Sequence, residues 1–333
     1  MAYAGAVNTL IIAPAWVGDM VMAHTLVQRL AINGDRKIDV LAPPASAPLA
    51  TRMAEVDHVH TVDFAHGELG IGRRRRVGHE LREHQYTEAY VLPNSWKSAL
   101  VPMFAKVPKR IGWLGEARYG LLTKPVKLDK TRYPLMIERF MALLDENLPA
   151  KPYSNPVLRA DESNAQHLRA TLQLGTDDDG VFALAPGAEF GPAKKWPHFA
   201  ELARALRAKG KSVWLFGSPN DVTDCQNIAQ SVAGVANLAG KTSLLDALDL
   251  MSLADHVVCN DSGLMHIACA LGLPTTGIFG STSPTFTPPL GEKAQTVQLN
   301  LDCQPCFQRT CPLGHLNCLN QLAAEQVLSR LNL

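Results

Sequence analysis

The apolar positions of the chain fall into short unbroken runs separated by longer amphipathic stretches. This is the rhythm of buried strands alternating with helices. TLIIA at 9–13 reads as a buried strand, and a helix is predicted over about 19–32. IDVLA at 38–42 and HVHTV at 58–62 follow, then a charged helix over about 76–85 and the run AYVLP at 89–93. Another helix is predicted from near Ser95, and 110–113 reads as a short strand. Strands spaced by helix-length segments point to βαβ units, because a parallel pair needs a long crossover.

Between about 148 and 179 the rhythm stops. ENLPAKPYSNPVLRADESN carries three prolines and little periodic apolar pattern, which suits a linker or a crossing connection. The alternation then restarts with VFALAP at 181–186 and an amphipathic helix in WPHFAELARALRAKG that ends at Gly210. SVWLFG at 212–217 and HVVCN at 256–260 read as strands, 262–271 as a helix stopped by Gly272 and Pro274, and TTGIFG at 275–280 as the next strand. The fold class is therefore α/β, with two doubly wound halves: domains at 1–160 and 175–320, and a C-terminal helix at 321–333. The repetition is architectural, since no matching sequence repeat accompanies it.

Composition narrows the function. Apolar residues make up 47% and charged residues 19% of the 333, ordinary globular usage that excludes a disordered chain. Basic and acidic residues nearly cancel, 32 against 31, which excludes nucleic-acid binding driven by bulk charge. Attraction to anions must come from local patches. The first basic residue is Arg29 and no 18-residue apolar run occurs, so a cytoplasmic protein without a signal peptide or spanning helix is expected. Seven cysteines are an odd count and too few for a disulfide scaffold.

In an open parallel sheet, ligands bind beyond the carboxyl ends of the strands, where amides at helix N-termini face the crevice. Neither G-x-G-x-x-G after a strand nor G-x-x-x-x-G-K-[ST] occurs, so a dinucleotide fingerprint and a P-loop are both excluded. The first junction is APAWVGDM. There Gly18 allows a tight turn and Asp19 begins the helix, either as a simple N-cap or as a carboxylate able to take a proton from a substrate hydroxyl. In the second half, APGAEFGPAKKWP offers Gly187 and Ala188 for close backbone approach, then Glu189, Lys194 and Lys195. A lysine here neutralises a phosphate as a point charge, or is a solvated loop residue.

CNDSGLMHIA is the most informative junction. Asp261 and Ser262 are good cap residues, and Gly263 leaves the first amides of the helix uncovered for an anion. His266 lies one turn deeper on the same face, as a support or as a satisfied core histidine. LFGSPND adds Gly217 and Ser218, either a further edge loop or an ordinary turn. Outside these junctions, the acidic run at Asp177, Asp178 and Asp179 precedes its strand and reads as a solvated turn. The arginines at 73–76 open a charged helix and form either a solvated face or a seat for a phosphorylated or membrane-surface partner. Cys303, Cys306, Cys311 and Cys318, with His315 among them, form C-x2-C-x4-C-x6-C, compatible with a structural zinc or with free, redox-labile thiols.

Together these residues resemble the ADP-heptose:lipopolysaccharide heptosyltransferases of glycosyltransferase family nine. The carriers are PAWVGDMVMA, GHELREHQYTEAYVLPNSWKSALVP, GWLGEARYGLL, PGAEFGPAKKWPHFAELA, and NDSGLMHIACALGLP followed by FGSTSPTFTPPL. The resemblance implies the glycosyltransferase-B fold, two Rossmann-like domains facing across a cleft: an acceptor-binding domain carrying the base, then an ADP-sugar-binding domain. It implies inverting transfer of L-glycero-D-manno-heptose from ADP-heptose to the first heptose of heptosyl-Kdo2-lipid A. Asp19 would be the general base and Lys194 would neutralise the departing diphosphate. Asp261, Ser262, Gly263 and Leu264 would hold the same phosphates, supported by His266. Gly187, Ala188, Glu189, Lys195, Gly217 and Ser218 would line the donor pocket, with Leu244 at the adenine. Asn94, Ser95, Lys97, Arg73 and Arg76 would meet the anionic acceptor.

No cofactor, metal, nucleic acid or protein partner is implied, and the enzyme would work peripherally at the inner membrane surface. The cysteine cluster stands outside the shared chemistry and is read as local stabilisation of the tail. Two rivals stay open: a family-nine transferase for another core position or nucleotide sugar, and a non-catalytic nucleotide-binding protein of the same fold.

Overall fold

The computed structural model describes residues 7–32, 35–64, 67–144, 153–175 and 180–331. Its contacts divide it into two compact units, Met1–Pro156 and Val157–Leu333. The first holds six strands: β1 (Val7–Ile12), β2 (Arg36–Ala42), β3 (His58–Thr61), β4 (Glu88–Val91), β5 (Lys109–Trp113) and β6 (Lys124–Val126). All pair in parallel, in the order β3-β2-β1-β4-β5-β6. The second holds β7 (Val181–Ala185), β8 (Ser212–Leu215), β9 (Val235–Asn237), β10 (His256–Asn260), β11 (Thr275–Ile278) and β12 (Ala294–Val297). Their order is β12-β11-β10-β7-β8-β9, again all parallel.

Counted within its own unit, each sheet runs third, second, first, fourth, fifth, sixth. That is the order of dinucleotide-binding folds, and its switch point lies between the first and fourth strands. The switch points are thus β1/β4 and β7/β10. Helices cover both faces, so the inner strands are buried throughout and read as continuous apolar runs rather than as alternation. Helix Phe199–Ala208 shows how the cover is made: Phe199, Leu202, Ala203 and Leu206 form one buried stripe. The stripe packs with Phe182, Leu184, Trp196, Val213 and Leu215, and each large side chain buried there contributes about 1.5–3 kcal/mol. The helix Ala324–Leu328 closes the same core through Ala324 and Val327.

Five elements differ from the sequence expectation. The charged helix spans Ile71–Glu80 and passes into a 3-10 turn at Leu81–His84; it starts early because Gly70, in the left-handed region, sets the turn before an exposed Ile71. The helix predicted from Ser95 is a 3-10 turn, Trp96–Ala99, followed by the helix Leu100–Phe104. The supposed linker contains a helix, Glu162–Thr171, capped by Asp161. Only Ala165 of it is buried, so no apolar stripe announces it; Asn164 Nδ2 ties it to Asp246 Oδ1 and Asp249 Oδ2 at 3.1 and 2.9 Å. The strands β6 and β9, three residues each, are too short to show periodicity. Asp177–Asp179 lie outside the described residues. Among those residues no helix is long and apolar enough to cross a membrane.

His256 on β10 stacks against Phe182 with ring centroids 5.7 Å apart, and burial pushes its pKa down to about 4. The unfolded imidazole titrates near its ordinary value of 6.5. Between these values the unfolded chain binds more protons, so stability present above the upper pH is lost as pH falls towards the lower one. His266, also pushed by burial to about 4, acts with the same sign. Denaturant titrations at pH 7 and pH 5 should differ by on the order of 1–2 kcal/mol per imidazole, and His256→Gln should remove part of the difference. A pH-independent midpoint would contradict the burial.

Candidate functional site

In the C-terminal unit the site is assembled where the chain leaves β7 and β10. Asn260, fully buried at the end of β10, donates from Nδ2 to the Pro186 carbonyl (2.7 Å). Its Oδ1 accepts from the Trp196 amide (3.1 Å), so one side chain fixes both ends of the loop carrying Gly187 to Lys195. Lys194 ends the 3-10 turn Pro192–Lys194. Its Nζ donates to Asp261 Oδ2 at 2.6 Å and to the Asp261 carbonyl at 3.1 Å, and it lies 4.9 Å from the Phe190 ring centroid. Thr282 Oγ1 donates to the same Asp261 oxygen at 2.5 Å. The side chains of Lys194 and Asp261 are only 13% and 4% exposed, so each is the counter-ion that lets the other sit there.

Beside this pair the helix Gly263–Ala270 begins. Ser262 is its N-cap residue in extended conformation, but no side chain caps the helix and no acid stands in its first turn. Asp261 is turned to Lys194 and Thr282 instead. The Ser262 hydroxyl is buried without a hydrogen-bond partner, next to the uncapped first amides of Gly263 and Leu264. Such an end favours an anion through its N–H groups and its dipole. His266 is one turn deeper. Burial is the main cause of its low pKa, with Lys194 assisting and Asp261 opposing, so it is a neutral imidazole at pH 7.

Gly187 and Gly217 flank this loop because nothing larger fits. A Cβ on Gly187 would collide with the Asp221 carboxylate, and one on Gly217 would lie 2.8 Å from Asp221 Cβ. Asp221 accepts from the Ser218 amide and hydroxyl at 3.0 and 2.7 Å. Lys195 points to this side: its Nζ is 2.7 Å from Asp224 Oδ2 and 3.6 Å from Asp221 Oδ1. Burial works against its charge, but these carboxylates prevail and hold its pKa above the ordinary value. Ala188, Glu189, Lys195, Asn220 and Asp221 line a cavity of about 280 Å³. Leu244 opens the helix Leu244–Met251 behind a Ser243–Asp246 capping box, and no hydrogen bond among the described residues links it to the Lys194 group.

In the N-terminal unit Asp19 follows β1, and Asn94, Ser95 and Lys97 follow β4, the two strands that meet at the switch point. The helix after β1 spans Val17–Ala31 and its N-cap is Trp16, so the N-cap alternative for Asp19 falls: Asp19 is the third helical residue, half-buried in the first turn. The loop after β4 carries Asn94, exposed, and Ser95 and Lys97, half-buried. That loop is clamped by Arg118, which is fully buried. Its Nη1 donates to the Pro93 carbonyl (2.7 Å) and Ser98 Oγ (3.1 Å), and its Nη2 to the Trp113 carbonyl. Burial, opposed by Glu116, lowers its pKa to about 10, which leaves it charged at pH 7. Glu116 Oε2 in turn accepts from the Trp96 amide at 2.6 Å.

The four-arginine run does not act as one patch. Arg74 is buried, lies 3.9 Å from the Phe64 ring centroid and donates to the Leu69 carbonyl. Arg73, Arg75 and Arg76 remain exposed. Elsewhere in this unit, Asp39 on β2, His60 on β3 and His84 at the end of the 3-10 turn bring ligand atoms within 4.8 Å of one another. The sequence reading missed Asn260, Asp221, Thr282 and Arg118. Asn260 and Asp221 stand inside strand-to-helix junctions and were open to inference, whereas nothing in the pattern marks Arg118 as buried.

The model of glycosyltransferase family 9 (heptosyltransferase) matches residues 74–317. The chain belongs to that family. Lipopolysaccharide heptosyltransferase 2 of Escherichia coli K12 is 42% identical to this family member over 97% of both chains. Lipooligosaccharide heptosyltransferase 2 of Haemophilus influenzae is 44% identical over 88% of both. The solved structure of E. coli ADP-heptose lps heptosyltransferase II superposes with a TM-score of 0.87 at 41% identity, covering 98% of each chain. The architecture is thus the glycosyltransferase-B fold, and the protein is a glycosyl-transferring enzyme.

The loop after β7 has no room for a side chain at Gly187. Gly187→Ala should displace Asp221, release Ser218 and Lys195, and lower stability by about 1–3 kcal/mol, with weaker nucleotide binding. Denaturant titration and calorimetry with ADP check this. An unchanged midpoint and affinity would contradict the close approach.

Proposed function

We propose that the enzyme transfers L-glycero-D-manno-heptose from ADP-heptose to the first heptose of heptosyl-Kdo2-lipid A, working peripherally at the inner membrane surface. The observation that carries the donor half is the buried, unpartnered Ser262 hydroxyl at an uncapped helix end beside Lys194. The names of the relatives, heptosyltransferase 2, support the acceptor half.

In this reading the diphosphate takes the amides of Gly263 and Leu264 and the Ser262 hydroxyl, and Lys194 exchanges Asp261 for a phosphate oxygen. Gly187 and Ala188 admit the nucleoside, Glu189, Lys195, Gly217 and Ser218 border it, and Leu244 meets the adenine. Asp19 takes the proton from the acceptor hydroxyl as its oxygen bonds to the anomeric carbon and the bond to the phosphate breaks. Configuration inverts, and the negative charge that grows on ADP is met by groups already in place. Neutral His266 packs beneath them without adding charge. Asn94, Ser95 and Lys97 bind the acceptor sugar, while exposed Arg73 and Arg76 face the phosphorylated inner core at an anionic surface.

Asp19→Asn should cut kcat by about 10²–10⁴-fold while ADP affinity is unchanged. ADP release should require the mono-heptosylated acceptor and be absent with Kdo2-lipid A alone. Full activity of the Asn variant would remove Asp19 from the chemistry, and turnover on the unheptosylated acceptor would reassign the core position.

A further inference from the structure

A carboxylate is a rare occupant of the middle of a buried parallel strand, yet Asp39 of β2 is fully buried. Glu88, the buried acid of β4, shows what such a group ordinarily requires. It takes Arg36 and Lys109 as direct ion partners, the latter at 3.0 Å, and accepts from Thr9 Oγ1 at 3.2 Å. Among the described residues Asp39 has no cation that close. Its Oδ2 accepts from the Tyr86 hydroxyl at 2.5 Å, and its Oδ1 is buried without a hydrogen-bond partner. Lys37 Nζ, on a side chain 47% exposed, stays 3.8 Å away.

What converges on this carboxylate is imidazole. In the β2–β3 register Asp39 pairs with His58 and Leu41 with His60, so Asp39 and His60 stand on one face of the sheet. The third member comes from the chain just before β4. His84 ends the 3-10 turn, Gln85 is left-handed (φ 50°), and Asn8 Nδ2 holds the His84 carbonyl at 3.1 Å. The turn stacks the His84 ring on Tyr86, with centroids 5.4 Å apart, and sets its edge against His60 at 4.8 Å. His60 Nε2 and His84 Nδ1 then lie 3.7 and 3.6 Å from the same oxygen, Asp39 Oδ2. Both distances are too long for hydrogen bonds. They are close to the separation of about 3.3–3.5 Å that two ligands have on one tetrahedral zinc, whose bonds are about 2.0–2.2 Å.

We propose that Asp39, His60 and His84 form a site for one divalent transition-metal ion of the zinc class, which ties β2, the edge strand β3 and the turn into β4 together. Two imidazoles select such an ion over magnesium or calcium, which take oxygen. Three protein ligands leave one tetrahedral position for water, and the His84 side chain, 33% exposed, gives the ion access from solvent. The Tyr86 proton is directed to Asp39, so His60 Nε2, 2.8 Å from the same hydroxyl, now donates to it. On ligation His60 carries its proton on Nδ1 instead, which frees the Nε2 lone pair with no net proton gained or lost. Tyr86 continues to donate to Asp39 and orients that ligand. The ion's charge replaces the distant one of Lys37. The site belongs to the N-terminal unit and stands independently of the donor reading of Lys194.

The test uses untagged full-length protein, stripped with a chelator, kept reduced and titrated with zinc chloride. The wild type should bind about one more zinc per chain than His84→Gln or His60→Gln, or bind that ion at least about tenfold more tightly. His79→Gln, which removes an exposed imidazole of the preceding helix, should match the wild type. Zinc should raise the unfolding midpoint of the wild type more than that of His84→Gln, because an ion bound only by the folded state stabilises it. Cobalt(II) reports the ligand type: the difference spectrum of wild type minus His84→Gln should carry visible bands without near-ultraviolet thiolate absorption. Histidine ring NMR of the unsubstituted protein, in which zinc should shift His60 and His84 but not His79, gives the same answer without relying on how a variant folds.

Zinc uptake that is the same in the wild type and both variants would overturn the site. So would a thiolate band in the cobalt difference spectrum, or ring signals of His60 and His84 that zinc leaves unmoved. An equal midpoint shift in the wild type and His84→Gln would overturn the bracing of β3.

Discussion

Lys194 can sit at the carboxyl end of β10 because Asp261 lies 2.6 Å from its ammonium and takes up its charge. A part-buried ammonium without that partner would cost several kcal/mol, and the pair is held in turn by Thr282 and by the Asn260 latch. Locally the lysine and the aspartate cancel, and His266 is neutral. Lys195 is outweighed by Asp221 and Asp224. The site is therefore not a basic patch. What it offers a diphosphate is directional: uncapped amides, a buried hydroxyl and a lysine that can change partners. Such groups are already aimed when charge develops on a leaving group, so little reorganisation opposes the reaction.

The same logic explains where the candidate residues fall in each unit. Both sheets share one strand order, and at each switch point the loops from the first and fourth strands part and leave their backbone groups accessible. At β7/β10 the parting loops are tied by Asn260; at β1/β4 the loop after β4 is tied by Arg118. Two unrelated side chains, an amide and a guanidinium, thus do the same job of satisfying carbonyls that a loop would leave exposed. Both are fully buried and hydrogen-bonded, the condition under which a polar group rigidifies rather than destabilises.

The strands nearest the switch points were legible in the sequence because they are buried on both faces: VFALA and HVVCN show as unbroken apolar runs. The helix Glu162–Thr171 was not, because hydrogen bonds rather than an apolar stripe attach it. The helix start at Gly263 was legible from Asp-Ser-Gly after a strand, and the place of Lys194 from the β7 junction. Which partner each lysine takes was not. Lys194 and Lys195 are adjacent in sequence yet turn to opposite carboxylates, a choice made by the 3-10 turn Pro192–Lys194. That the arginine run is split was equally hidden, since helical geometry sends Arg74 inward against Phe64 while Arg73, Arg75 and Arg76 stay exposed.

On the proposed reading, Lys194 and the end of helix Gly263–Ala270 recognise a diphosphate rather than a nucleoside. Calorimetric comparison of ADP with AMP tests it most directly. The wild type should prefer ADP, and Lys194→Met and Ser262→Ala should each weaken ADP by about tenfold or more while leaving AMP nearly unchanged. Equal losses for both nucleotides, or a preference for ADP that survives both substitutions, would contradict the account.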